Sequence, residues 1–179
     1  MSRLVEQIKQ ALAAFVGLSV APALIGGLAL AAHQVVRATQ DVDFLADADD
    51  ADRLHAVLEG LGYRCIHRSE DAANYLRGDE GLDLLYAHRP VARRLLAQAQ
   101  ERQTAMGRLR VISVEGLIAF KLQAHVNDAS RVQDIGDIRA LLRTHRHVLN
   151  LEEVQEYFGL FDQQELLDAL LAETAPPHA

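Results

Sequence analysis

The stretch from residue 24 to residue 47, LIGGLALAAHQVVRATQDVDFLAD, decides how this chain is read. It opens with an apolar run that reads as a short buried strand, entered through Pro22, whose fixed φ favours an extended approach. Gly26 and Gly27 break that run, and LALAAHQV has the composition of a two-turn helix. Beyond Arg37 and Thr39 the chain returns as DVDFLA, a strand in which Val42 and Phe44 alternate with Asp41 and Asp43. Side chains two apart on a strand share a face, so the two carboxylates repel unless a cation sits between them. Hard oxygen ligands of this kind suit magnesium, whose shell is completed by waters and substrate phosphates. The glycines offer the complement. A strand, a glycine pair and then a helix bring the N–H groups of a helix N-terminus beside a residue with no side chain, which is a place for phosphate.

Each half has a plain alternative. Fourteen aspartates in 179 residues give roughly one D-x-D by chance, and Asp47/Asp49 and Asp50/Asp52 are two more. Those lie in ADADDAD, which reads as a solvated turn and a helix N-terminus, whereas Asp41 and Asp43 ride on a rigid strand. The glycine pair by itself is a tight turn. It lacks the third glycine of a dinucleotide fingerprint and the Gly-Lys-Ser/Thr of a P-loop. Asp83, in GLDLLYA, again alternates with apolar residues. It is either a solvent-facing strand residue or, if its strand neighbours that of Asp41 and Asp43, a third carboxylate. Three would be enough to hold two magnesium ions and to help deprotonate an attacking hydroxyl or amine.

Half of the residues are apolar, which at this length suits one compact domain or a core with a helical appendage. The formal charge of -7 excludes a broad basic face for nucleic acid. A local cluster remains in Arg89, Arg93 and Arg94, which reads equally as a grip for an acceptor's phosphates or as an ordinary exposed helix face. The single cysteine, Cys65, excludes an internal disulfide and fits a reducing compartment. Glu6 and Lys9 interrupt the apolar pattern of the N-terminus, and no stretch reaches transmembrane length. The expectation is a cytoplasmic protein with no membrane partner.

The remaining pattern predicts an amphipathic helix over residues 3–17 and a helix capped by Asp49 or Asp50. Strands follow at YRCIHR, NYLRG and GLDLLYA, then a helix from Pro90 that continues through residue 103, and a strand at RLRVIS. Ser113 and Ser130 are placed to cap two helices, and residues 150–173 are helical with a break near Gly159. His33, His145 and His147 have no cysteine partners and read as structural. The fold class is therefore α/β, a mixed sheet flanked by helices. An α/β core spans residues 1–112, a helical C-terminal region spans 113–174, and a disordered tail spans 175–179.

In its order of strand, Gly-Gly, helix, R-x-T-x-D-x-D on a strand and a later strand bearing Asp83, the chain resembles the minimal nucleotidyltransferases of the polymerase-β-like superfamily. Within it the likeness is to the AbiEii-type group, some of which are toxin components of type IV toxin-antitoxin modules. SVEGLIAFKLQAHVNDASRVQDIGDIRALL is similar to that group's second signature, with Lys121, Arg131, Asp134 and Asp137 as its charged positions. The resemblance covers roughly residues 20–143. It implies that Gly26 and Gly27 hold nucleotide phosphates, that Asp41, Asp43 and Asp83 hold two Mg²⁺ ions, and that Lys121 lies near the triphosphate. Arg37, Thr39, Arg131 and Asp134 would complete the nucleotide site.

An NTP would be the substrate, an RNA such as tRNA or a protein the acceptor, and an antitoxin protein a partner. Two features depart from the pattern: Gly-Gly stands where many members have Gly-Ser, and Gln133 stands where a basic residue is common. Two rivals differ in class. One is a nucleotide- or RNA-binding module of the same fold without turnover, and the other is a structural or regulatory partner protein.

Overall fold

A computed structural model of the protein describes residues 3–104 and 106–174, so the tail expected at 175–179 lies outside the described residues. The chain divides into two units, one of Met1–Ala32 with Arg37–Ile112 and one of His33–Val36 with Ser113–Ala179.

The first unit carries the sheet. Its elements are α1 (Arg3–Ala14), β1 (Ala23–Leu24), α2 (Gly26–Ala32), β2 (Val42–Asp47), α3 (Ala51–Gly60), β3 (Arg64–Arg68), β4 (Ala72–Arg77), β5 (Glu80–Ala87), α4 (Pro90–Gln98), β6 (Gln100–Thr104) and β7 (Gly107–Val111). Among the described residues seven strands form one mixed sheet in the order β3-β4-β5-β2-β1-β7-β6. Strand β2 runs parallel to β5 and antiparallel to β1, so the D-x-D strand sits in the middle of the sheet. One face is apolar: Val42, Phe44, Ala73, Tyr75, Leu82 and Leu84 are buried. Helix α1 packs there, with Ile8 and Ala11 fully buried and the Phe15 ring edge-on to Phe44 at 5.3 Å.

Asp50 is not a solvated turn residue, as ADADDAD suggests. It is 4% exposed, and its carboxylate accepts from the Ser19 N–H at 2.8 Å and the Ser19 hydroxyl at 3.1 Å. A buried carboxylate is tolerated when hydrogen bonds replace its water. Asp47, in contrast, caps the 3₁₀ turn Ala48–Asp50 by accepting from the Asp49 N–H. The helix expected to run to residue 103 stops at Gln98, and residues 100–104 form β6, antiparallel to β7. Ladder bonds to β7 outweigh the helix-forming composition of AQAQERQ.

The second unit is helical: α5 (Val114–Asn127), α6 (Val132–His145), α7 (Leu151–Leu160) and α8 (Gln164–Glu173). Ser113 caps α5 by accepting from the Gly116 N–H at 3.0 Å. Ser130 does not cap α6. Its hydroxyl donates instead to Asp128, and Arg131 is the residue before the helix.

Candidate active site

Four positions on neighbouring strands form a row along the half-exposed face of the sheet. In the parallel pair of β2 and β5, Asp43 is in register with Asp83, and in the antiparallel pair of β5 and β4, Asp83 is in register with Asn74. Register partners put their side chains on one face, so Asp43, Asp83 and Asn74 stand in line. His67 on β3, the partner of Asn74, extends the line to the sheet edge. At the other end β1 stops after two residues because Gly26 turns with φ +65° into α2. A Cβ placed on Gly26 would lie 2.0 Å from Asp43 Oδ2, so the carboxylate rests directly on the glycine backbone.

Asp41 is seated in the same way. A Cβ on Gly81 would lie 2.2 Å from Asp41 Oδ1. One on Gly27 would meet the Thr39 side chain at 2.7 Å, and the Thr39 hydroxyl donates to the Asp41 carbonyl at 3.3 Å. Arg37 is half-buried in the loop between α2 and β2. The structure therefore brings Gly26 onto Asp43, Asp43 beside Asp83, and Gly27 onto Thr39.

Asp83 is held by its strand neighbour. Asn74 Nδ2 donates to Asp83 Oδ1 at 2.8 Å. Burial raises its pKa above the usual carboxylate range, the Asn74 bond opposes this, and the charge of Asp41 adds to it. A carboxyl with a raised pKa holds a proton more readily than an ordinary carboxyl, as a base near the reacting atoms must.

A carboxyl whose folded pKa lies above its unfolded value stabilises nothing when ionised. The folded state keeps its full stability below the unfolded value and loses part of it as pH rises through the folded one. Asp83→Asn should therefore melt higher than the unmutated protein at pH 7, with the difference vanishing near pH 3, below the unfolded pKa of about 3.9. Melting temperatures at the two pH values check this, and a lower melting temperature for the variant at pH 7 would contradict it.

Among the described residues no group of three His, Cys, Asp or Glu side chains is close enough to hold a metal ion. The donors that do lie together are hard carboxylate oxygens in register on one face, Asp43 and Asp83, with Asp41 near enough for its charge to act on Asp83. Such a set fits magnesium as part of a shell that phosphate oxygens and water complete.

Lys121, Asp134, Asp137 and Arg131 come together in the second unit. Lys121 Nζ lies 2.8 Å from both Asp134 and Asp137, and Arg131 Nε donates to the second Asp134 oxygen at 2.7 Å. Asp134 is fully buried and Lys121 is 7% exposed. Burial pushes the Asp134 pKa up, but the bonds from Arg131 and Lys121 outweigh it and leave it below the usual range. In the same unit the His33 and His145 rings meet edge to face at 5.8 Å, and His145 Nε2 contacts the His33 carbonyl at 2.8 Å. In the arginine cluster, Arg93 engages Asp49 at 3.1 Å and Asp47 at 3.6 Å.

Sequence reasoning missed Asn74 and Gly81. Both act across strands, and only the register reveals them. A turn glycine beginning GLDLLYA was visible as punctuation, but nothing in the sequence ties it to Asp41.

Solved structures of nucleotidyltransferases share this fold. The solution structure of the antibiotic-resistance factor ANT(2'')-Ia matches over 96% of this chain and 98% of its own, with a TM-score of 0.66 at 21% identity. A crystal structure of ANT(2'')-Ia in complex with adenylyl-2''-tobramycin matches over 92% of this chain and 99% of its own, with a TM-score of 0.65 at 22% identity. The lincomycin-bound lincosamide adenylyltransferase LnuA matches over 79% of this chain and 96% of its own, with a TM-score of 0.56 at 16% identity. No family profile and no curated protein matches the sequence. The α/β architecture is thus the nucleotidyltransferase fold, with a helical C-terminal unit.

Proposed function

We propose that the protein transfers a nucleoside monophosphate from an NTP to a hydroxyl of an acceptor. The observation that carries this reading is the row of Gly26, Asp43 and Asp83, which sets a glycine-opened helix N-terminus beside paired carboxylates in a nucleotidyltransferase fold. The N–H groups at the start of α2 bind the phosphates. Asp41 and Asp43 would hold magnesium, which supplies charge neutralisation at the phosphates. Asp83 takes the proton of the acceptor hydroxyl as its oxygen attacks the α-phosphorus. The bond from that phosphorus to the bridging oxygen breaks, and pyrophosphate leaves. The task is positioning and charge stabilisation, with no covalent enzyme intermediate.

A small hydroxylated molecule is the acceptor we favour. ANT(2'')-Ia is seen with adenylyl-2''-tobramycin and LnuA with lincomycin, and a formal charge of -7 does not favour a polyanion. The AbiEii resemblance supports a second reading, in which RNA or protein is labelled and an antitoxin binds.

The test is incubation with each of the four α-³²P-labelled NTPs and MgCl₂, with tobramycin, lincomycin, total RNA or the protein itself as acceptor. Label on an acceptor, lost in Asp43→Asn with the fold intact by circular dichroism, is the expected result. NTP binding without transfer to any acceptor would leave a binding module, and no NTP binding would end both readings.

A further inference from the structure

We infer that the acceptor lies on the open face of the β5-β4-β3 ribbon, beyond Asp83 from the glycines, with Asn74, Leu76 and Leu85 beneath it and Arg64 and His67 at its far edge. The inference rests on the transferase reading and adds where the second substrate sits. Phosphoryl chemistry needs the attacking and leaving oxygens roughly in line through phosphorus. The row fixes that line on the protein. With Gly26 at one end and Asp83 two strands away, a triphosphate seated over the Gly26 turn beside Asp43 sends its leaving group away from Asp83, and the acceptor comes from the side of β5 and β4.

That side is built to receive it. Leu76 pairs with Gly81 and Ala72 with Leu85, so Ala72, Asn74, Leu76, Gly81, Asp83 and Leu85 share one face. All of them are half-buried, while the alternating Ala73, Tyr75, Leu82 and Leu84 are buried on the other face. Arg64 and His67, the partners of Leu76 and Asn74, are exposed. At about 4.8 Å per strand the distance from Asp83 to the position of His67 is about 10 Å, the span of a molecule of two or three rings.

The chemistry of the face selects its occupant. Asn74 spends one donor on Asp83, which fixes that carboxylate, and an amide keeps an acceptor oxygen and a second donor for another partner. Leu76 and Leu85 give apolar flanks, and Arg64 and His67 give polar ends. Tyr75 and Tyr86 turn to the packed face, so the bases of a single strand find no tyrosine to stack on. Arg68 is tied to Asp52. The surface therefore suits a small hydroxylated molecule over an RNA strand.

Amide NMR of the full chain loaded with Mg²⁺ and the non-hydrolysable ATP analogue AMPCPP, titrated with tobramycin, lincomycin or a short oligoadenylate, tests this. Shifts from at least one of the two small molecules should map to residues 64–68, 72–76 and 83–85. Leu76→Trp, which fills the face, and His67→Glu at its edge should each weaken or alter that binding, the tryptophan by about tenfold or more, with AMPCPP affinity unchanged. Shifts confined elsewhere, binding of the oligoadenylate alone, no binding of either small molecule, or unaltered affinity in a folded Leu76→Trp protein would overturn the inference. Failure of AMPCPP to perturb Gly26 and Gly27 would instead overturn the transferase reading.

Discussion

Replacing Gly26 by alanine should cost about a hundredfold or more in nucleotidyl transfer while lowering the melting temperature only modestly. The backbone cost is small, because one alanine in the left-handed region at φ +65° loses about 1–2 kcal/mol. The steric consequence is larger. The new methyl would fall 2.0 Å from Asp43 Oδ2 and 2.6 Å from its Cγ, so the whole carboxylate must move. Asp43 sits on a central strand, and its backbone cannot follow, because Ile25 N donates to the Asp43 carbonyl at 3.0 Å and β5 holds the other side. The side chain therefore rotates away from the place where phosphate and cation meet. A displacement of about 1 Å in a positioned group can cost a hundredfold in rate. Turnover of labelled NTP with the acceptor found for the unmutated protein, measured beside thermal melting, separates the two effects. Activity within threefold of the unmutated protein would show that the contact of Gly26 with Asp43 is not part of the site.

Lys121→Met carries the largest expected effect on stability, about 3–5 kcal/mol, as is typical when one partner of a buried ion pair is removed. Methionine keeps the length and apolar stem of lysine but leaves Asp137 without its 2.8 Å contact to Nζ, and Asp134 with Arg131 alone. Asp134 has no exposed surface to recruit water. Chemical denaturation of the variant checks the magnitude. The further variant Lys121→Met/Asp134→Asn/Asp137→Asn should recover much of the loss, because the uncompensated charge is then gone. A loss below about 1 kcal/mol, the range of exposed pairs, would mean that the cluster is solvated in solution. The same pair of proteins addresses the expectation that Lys121 lies near the triphosphate. If the triple variant binds NTP as tightly as the unmutated chain, the lysine clamps α5 to α6 and does nothing more.

What could be read beforehand follows the range of the forces involved. The strand, glycine pair, helix and D-x-D strand were legible because each is a local pattern: alternation, a helix-forming run, a residue with no Cβ. Ser113 was legible as a cap for the same reason. Residues 100–104 were not, since their composition favours helix and only the ladder to β7, closed by Gly107 at φ +113°, makes them a strand. Asp50 was misread as solvated because the loop at Ser19 and Val20 that buries it lies thirty residues away. Asn74 illustrates the limit most clearly. Its meaning depends on which residue of β5 it faces, and a shift of one position would have turned it to the packed side.

The seating of Asp41 and Asp43 on Gly81 and Gly26 means that each acid is backed by glycine main chain, at a place where any Cβ would displace it. Strands β4 and β3, which carry Leu76 and His67, have no glycine under either acid. Substitutions at Leu76 and His67 can accumulate without disturbing Asp41 or Asp43, whereas either glycine tolerates none. A lineage built on this scaffold could thus exchange one acceptor for another through Leu76, Arg64 and His67 of the outer two strands, keeping the reacting centre unchanged as long as Asn74 holds Asp83.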